Sequence, residues 1–139
     1  MAISAEQLNI ILSARDEKFT KAMDRSQKRG ALKVLLEQGK DRLSRGIPLL
    51  IFPQGTRLPA GEMGKWNKGG AMLAVSNQVP MVAIAHNAGR FWPGKSLIKT
   101  PGTIDVVISP AITTQDRTVD EVHTEAVEWL TPTLKTINA

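Results

Sequence analysis

The order of apolar and polar positions predicts a chain that alternates helices and buried strands. Between residues 27 and 45 charged side chains separate apolar residues that recur at helical spacing, namely Leu32, Leu35, Leu36 and Leu43. This pattern predicts an amphipathic helix that ends before Gly46 and Pro48. The next stretch, "PLLIF", is a continuous apolar run of the kind found in strands covered on both faces, as in a parallel sheet.

The rest of the chain continues in the same style. A short helix carrying "AMLAV" is predicted from near Gly69, and "VPMVAIAH" and "GTIDVVIS" read as two further strands joined by a long loop. The segment after Thr118 predicts a helix that Pro132 ends or kinks. Its apolar face is formed by Val119, Val122, Ala126, Trp129 and Leu130. The fold class predicted is α/β, with a mainly parallel sheet flanked by helices.

The composition is that of one folded domain. The chain has 139 residues, with 42% hydrophobic and 22% charged residues, which is enough apolar material for one core. It has no apolar run long enough to cross a bilayer and no basic, apolar leader, so we expect a cytoplasmic location. The absence of cysteine excludes disulfides, thiolate metal sites and thiol nucleophiles, and we predict neither a metal nor a cofactor.

The charge of the chain favours anionic partners. A formal net charge of +5 attracts phosphate-bearing metabolites, anionic lipid headgroups and nucleic acid alike. The basic residues are dispersed, tyrosine is absent and aromatic residues make up only 4% of the chain, so there is little surface on which bases could stack. We therefore predict no nucleic-acid partner.

The stretch from Pro53 to Gly70 predicts a shaped loop that can hold an anion. It follows a predicted buried strand, where open α/β sheets bind their ligands. Gly55 permits a tight turn with exposed N–H groups, Thr56 offers a hydroxyl, and Arg57 a planar charged fork suited to phosphate. Lys68, in the same loop, adds a point charge.

An ordinary turn remains open as the alternative. Arg57 would then be solvated or paired with a carboxylate such as Glu62. The spacing is neither a Walker loop nor a Rossmann glycine pattern, so residues and spacing predict an anion site and nothing finer.

The ordered blocks "LLIFPQGTR", "KGGAMLAV" and "VPMVAIAHNAG" resemble the glycerolipid acyltransferase family, specifically the 1-acylglycerol-3-phosphate acyltransferases. In that family the corresponding blocks read Phe-Pro-Glu-Gly-Thr-Arg, then Lys-x-Gly with an alanine-rich helix, then an apolar strand with Val-Pro. "FWPGKSLIKTPGTIDVVISPAI" is similar to bacterial members. The resemblance runs from about residue 24 to residue 130.

The resemblance implies roles for particular residues. Gly55 and Arg57 would hold the phosphate of the acceptor, lysophosphatidic acid, with Thr56 between them. Gln54 would lie near the glycerol hydroxyls, and it departs from the family's glutamate because an amide hydrogen-bonds but carries no charge. "MDRS" is similar to a second phosphate-binding block, in which Arg25 matches the arginine, although the upstream glycine and phenylalanine are not evident.

The family's catalytic block is missing. Acyl transfer from acyl-CoA or acyl carrier protein to a hydroxyl needs a base, which the family supplies in Asn-His-x-x-x-x-Asp. Only His86 and His123 are present. His86 has no aspartate at the motif spacing, and His123 lies five residues before Glu128 in a predicted helix, about 140° around its axis. We therefore predict no catalytic residue.

Two interpretations of the missing block stay open. The chain is either a truncated or misread product, with residues 1–23 unassigned and residues 24–139 forming an incomplete acyltransferase domain, or a noncatalytic module that binds phosphate or anionic lipid. An incomplete domain would expose the sheet face that the missing strands should cover. Peripheral contact at the inner face of the cytoplasmic membrane is an expectation under both interpretations.

Overall fold

The computed structural model describes residues 25–94 and 97–139, and the side chains at 25–29 and 31 lie outside that description. The described elements are α1 (Arg25–Ser44), α2 (Gly69–Ser76), β1 (Ile84–His86), α3 (Ala88–Phe91), β2 (Val106–Ile108) and α4 (Val119–Ile137). The chain divides into two compact units, Met1–Ile51 and Phe52–Ala139. The segment 1–23 that the sequence left unassigned lies outside the described residues.

Helix α1 belongs to the first unit and confirms the predicted amphipathic helix. It ends where Gly46 adopts a φ of 72° and donates its N–H to the carbonyl of Leu43 at 3.0 Å. The N–H of Ile47 reaches the carbonyl of Arg42 at 3.0 Å. A positive φ is strained for any residue with a Cβ, so glycine here lets the last carbonyls be capped by the chain that follows.

The prediction of a strand at residues 48–52 was wrong. Within the part of the chain that the structure describes, this segment pairs with no strand, and Leu50 and Phe52 are 41% and 62% exposed. An apolar run becomes a strand only where a neighbouring strand takes up its backbone N–H and C=O groups. The described residues place no such neighbour beside it.

The second unit contains a two-stranded sheet whose pairing is antiparallel. Ile84 pairs with Ile108 and His86 with Val106, and an isolated bridge joins Met81 to Ile112. The parallel arrangement that we predicted is not found among the described strands. The backbone N–H of Asn87 reaches the carbonyl of Asp105 at 3.3 Å. The two strand ends that the long loop joins therefore lie side by side, which fixes an antiparallel pair.

The core of the second unit lies where α4 packs against α2 and β1. Its fully buried apolar residues are Ala71, Ala83, Ala85, Ile112, Val122, Ala126 and Leu130. Strand β1 alternates, because Ala85 faces this core while Ile84 is 38% exposed. On β2, Val106 is 58% exposed and Ile108 is 60% exposed, on the same uncovered face of the sheet as Ile84. One sheet face is thus covered by a helix and the other is open.

Helix α4 begins with a capping box, as the threonine-rich start predicted. The Thr118 hydroxyl accepts from the Glu121 N–H at 3.3 Å, and the Glu121 carboxylate accepts from the Thr118 N–H at 2.7 Å. The helix does not end at Pro132 but continues to Ile137. Proline removes one donor from the ladder, and Leu134 and Ile137 still pack against the core beyond it.

Candidate functional site

A tight turn over residues 52–57 forms the centre of the candidate site. The N–H of Gly55 donates to the carbonyl of Phe52 at 3.1 Å, and Gly55 adopts a φ of 67°. A Cβ at this position would meet nothing within 4 Å. Glycine is therefore required by the backbone conformation and not by crowding, which leaves open space beside the turn.

Asn67 holds the turn in place. Its backbone N–H and its side-chain Nδ2 both donate to the carbonyl of Pro53, at 3.1 Å and 2.7 Å. Two donors on one carbonyl tie the start of the turn to the segment before α2. We did not predict this role, because a single asparagine in a glycine-rich loop gives no signal of its distant partner.

Arg57 leaves the turn with its guanidinium exposed. Nη1 lies 3.4 Å from the carbonyl oxygen of Gly94, at the long limit of a hydrogen bond. Across residues 25–94 and 97–139, no carboxylate lies within ion-pair distance of Arg57, so the pairing with Glu62 that we left open is not observed. The guanidinium keeps most of its donors for another acceptor.

The predicted neighbours of Arg57 share its turn. Gln54 is half-buried, while Gly55 and Thr56 are exposed. The N–H of Gly55 is already bonded to the carbonyl of Phe52. Because Gln54, Thr56 and Arg57 share one short turn, an amide, a hydroxyl and a guanidinium can contact one small anion. Their roles in binding stay predictions.

Lys68 points its ammonium at helix α4. Its Nζ lies 2.7 Å from Oδ1 of Asp120. The hydrogen bond from Lys68, together with its charge, holds the pKa of the Asp120 carboxyl below its ordinary value. A phosphate at the turn would therefore have to compete with Asp120 for this lysine, and the predicted role of Lys68 in binding stays a prediction.

Arg25 is the first residue of α1, and its side chain lies outside the described part of the chain. It belongs to the unit Met1–Ile51, whereas the turn belongs to the unit Phe52–Ala139. Its role as a second phosphate ligand stays a prediction.

The two histidines do not form a catalytic pair. Nδ1 of His86 lies 3.3 Å from the N–H of Ala88 and accepts from it, which matches a loop-anchoring role. His123 and Glu128 both lie on α4, where five residues correspond to about 140° of rotation. Among the residues that the structure describes, no three His, Cys, Asp or Glu side chains group together as metal ligands.

The length and polarity of the helices decide whether any of them could cross a membrane. Each helix within residues 25–94 and 97–139 is too short or too polar to span a membrane.

Comparison with known proteins places the chain in a family. The Acyltransferase family model matches residues 5–87, a span that reaches into the segment we left unassigned. The chain is 46% identical over 120 residues to the 1-acyl-sn-glycerol-3-phosphate acyltransferase of Pseudomonas aeruginosa, with 84% of this chain and 47% of that protein covered. It is 32% identical over 101 residues to the human 1-acyl-sn-glycerol-3-phosphate acyltransferase alpha, with 72% of this chain and 36% of the human protein covered.

A solved structure gives the same result for the fold. The 1-acyl-sn-glycerophosphate acyltransferase PlsC of Thermotoga maritima superposes with a TM-score of 0.69 at 23% identity, over 75% of this chain and 44% of that one. The chain spans about half the length of the Pseudomonas aeruginosa and Thermotoga maritima proteins. With the family model matched over more than half of its residues, the chain belongs to the acyltransferase family.

Proposed function

We propose that this chain acts in acyl transfer to 1-acylglycerol 3-phosphate in phospholipid synthesis, and that the turn at residues 52–57 holds the acceptor's phosphate. One observation carries the proposal: Arg57 is exposed at the end of a pinned glycine turn, and its only described partner is a carbonyl at 3.4 Å. A guanidinium in that state can offer two parallel N–H donors to a phosphate.

The chemistry of the turn fits recognition of a phosphomonoester that also carries a hydroxyl. Arg57 and the Thr56 hydroxyl bind the phosphate, while the Gln54 amide can hydrogen-bond the glycerol hydroxyl next to it. The donor in this proposal is acyl-CoA or acyl carrier protein. The names of the relatives support the substrate class.

The 139 residues supply no histidine base at the family spacing, so we propose that their own contribution is acceptor binding. Acyl transfer needs a group that takes the hydroxyl proton, and neither His86 nor His123 has an aspartate five positions later, as the family block requires. We expect the chain alone to show little or no turnover. We propose a cytoplasmic location with peripheral contact at the inner face of the membrane, where this acceptor resides.

The test is a titration of the purified chain with 1-acylglycerol 3-phosphate and with the matching monoacylglycerol. We expect the phosphate form to bind more tightly, and Arg57→Ala to weaken it about 10- to 100-fold through the loss of a charge-assisted contact. Arg117→Ala is the matched control, because that guanidinium is bound by Glu125 at 2.6 Å. Equal affinity for both ligands, or unchanged affinity of Arg57→Ala, would contradict the proposal.

The second candidate function is a noncatalytic module for phosphomonoesters or anionic lipids, and the absence of an Asn-His-x-x-x-x-Asp block from the 139 residues favours it over catalysis by the chain alone. An acyl-transfer assay tests this module against catalysis by the chain alone. Turnover by the purified chain that disappears in Arg57→Ala would exclude the noncatalytic module, whereas tight phosphate-dependent binding without turnover supports it.

A further inference from the structure

The loop after α3 presents large apolar side chains to solvent. Trp92 is 56% exposed, Ile98 is 79% exposed and Leu97 is fully exposed at 101%. We call residues 91–94 and 97–100 the apolar loop. Three large apolar side chains so close in sequence on one exposed loop are unusual for a surface that faces only water, and such patches mark sites of interaction.

The base of the apolar loop is held firmly. The N–H of Thr100 donates to the carbonyl of Phe91 at 2.9 Å, and the N–H of Trp92 donates to Ala88 at 2.9 Å. Gly102 lies against the ring of Phe91, where a Cβ would collide with the ring carbons. The backbone thus closes the loop at its base, and its apolar side chains remain outside the core.

The stretch of sequence that contains the apolar loop is basic. The ammonium of Lys99 lies 4.0 Å from the centroid of the Trp92 ring, a cation–π contact that places a cation beside the apolar side chains. From Glu62 to Asp105 the sequence has no acidic residue in between, while its basic residues there are Lys65, Lys68, Arg90, Lys95 and Lys99. An occupant of this surface should therefore combine apolar matter with negative charge.

The apolar loop also touches the candidate phosphate site. The carbonyl of Gly94 is the described partner of Arg57, and a Cβ on Gly94 would lie 2.9 Å from Cδ of Arg57. The absence of a side chain at Gly94 lets the arginine stem lie against the loop. Whatever the loop rests on is consequently close to the guanidinium.

We propose that the apolar loop is a docking surface for an anionic phospholipid bilayer, with Trp92, Leu97 and Ile98 entering the interface and Lys99 contacting headgroup phosphates. Tryptophan prefers the headgroup level of a bilayer, and lysine can keep its ammonium at the phosphates while its stem lies along apolar matter. Anionic headgroups supply the negative charge that the basic segment lacks. This proposal rests on the proposed function. Docking would bring Arg57 to the level of a phosphate carried by a membrane lipid.

The experiment measures binding of the purified chain to vesicles of phosphatidylcholine with and without phosphatidylglycerol, none containing 1-acylglycerol 3-phosphate. We expect binding to the anionic vesicles only, with a blue shift of tryptophan emission. Trp92→Ser and Leu97→Ser should each weaken binding about 5- to 10-fold, and Lys99→Glu about 10-fold. Arg117→Ala, whose guanidinium is bound by Glu125, should bind these vesicles within about twofold of the unchanged chain. Because the vesicles contain no 1-acylglycerol 3-phosphate, failure of the phosphate site is seen separately in the titration described above.

Ile108→Ser is the matched control, since Ile108 is 60% exposed on β2 and lies outside the apolar loop. It should leave vesicle binding unchanged. The proposal is overturned if Trp92→Ser and Leu97→Ser bind as the unchanged chain does, or if Ile108→Ser loses as much as they do. It is also overturned if the loop variants abolish self-association of the chain in vesicle-free sedimentation, which would assign the surface to a second copy.

Discussion

Helix α4 and the turn at residues 52–57 belong to the same compact unit but are specified in different ways. In α4 the buried side chains Val122, Ala126 and Leu130 are at most 1% exposed and fix the helix against α2 and β1. In the turn Gly55, Thr56 and Arg57 are exposed, and backbone hydrogen bonds to Phe52 and from Asn67 give it shape. Side-chain packing stabilises α4. Backbone hydrogen bonds shape the turn, so its side chains stay exposed and can bind a ligand.

The comparison predicts its largest effect at the centre of the α4 core. Leu130→Ala removes a side chain that is 1% exposed and leaves a cavity, so we expect the free energy of unfolding to fall by about 2–5 kcal/mol. Urea denaturation followed by circular dichroism measures it. Leu97→Ala, at a fully exposed position, should change stability by less than about 0.5 kcal/mol. A similar loss in both variants would remove the distinction between core and surface.

A smaller effect is expected at the start of α4. Thr118→Ala removes the hydroxyl that accepts from the N–H of Glu121, and should destabilise the chain by about 1 kcal/mol. Thr118→Ser retains the oxygen and should behave as the unchanged chain does. Thr124→Ala, in the exposed middle of the same helix, serves as the control, and thermal unfolding is the readout. A midpoint for Thr118→Ala equal to that of Thr124→Ala would show that the cap contributes nothing.

Acid should weaken the same helix start. The pKa of Asp120 is lowered by Lys68, and the pKa of Glu121 is lowered by the backbone N–H of Thr118 and then by its hydroxyl. Both carboxyls release protons more readily in the folded chain, so their stabilisation is complete above their ordinary values of 3.8 and 4.5 and is lost as pH falls through the folded values.

The measurement is the urea midpoint from about pH 7 down to about pH 2, a range that includes the ordinary pKa values of 3.8 and 4.5 and the lowered values beneath them. A double variant, Asp120→Asn with Glu121→Gln, should show a flatter dependence than the unchanged chain. Identical pH profiles for the two proteins would contradict the assignment of the acid sensitivity to this helix start.

The smallest effect on stability is expected in the turn itself. Arg57→Ala removes an exposed side chain whose described contact is a 3.4 Å hydrogen bond, so stability should stay within about 0.5 kcal/mol of the unchanged chain. Phosphate binding should nevertheless be lost in the titration described above. A large loss of stability would mean that Arg57 supports the fold, and the contrast with α4 would fail.

Helices α1, α2 and α4 were predictable because their signals are local, whereas the short helix α3 lies in a segment that we predicted to be a loop. Helical spacing of apolar residues and the stop at Gly46 indicated α1, and the Thr118 start with a 3.6-residue apolar stripe indicated α4. The turn was also indicated by Gly55, Thr56 and Arg57 themselves, and its resemblance to an acyltransferase block singled out the anion site from the ordinary turn that spacing alone left open.

Long-range pairing was not predictable in this way. "PLLIF" has the composition of a buried strand, yet no described strand pairs with it. The antiparallel pairing of β1 with β2 is stabilised at its end by Asn87, which is 3% exposed. Its side chain is hydrogen-bonded to both the backbone and the carboxylate of Asp105. Hydrogen bonds between residues 18 positions apart leave no periodicity in the sequence.

The sequence by itself determined helices α1, α2 and α4, the glycine turn with its arginine and the family, since each depends on neighbouring residues or on blocks in a fixed order. Only the tertiary structure decided that Lys68 is bound to Asp120, that Asn67 pins the turn and that Arg57 lies against Gly94 of the apolar loop. Those contacts join residues 52, 14 and 37 positions apart. They depend on how the chain returns on itself, which local preferences do not encode.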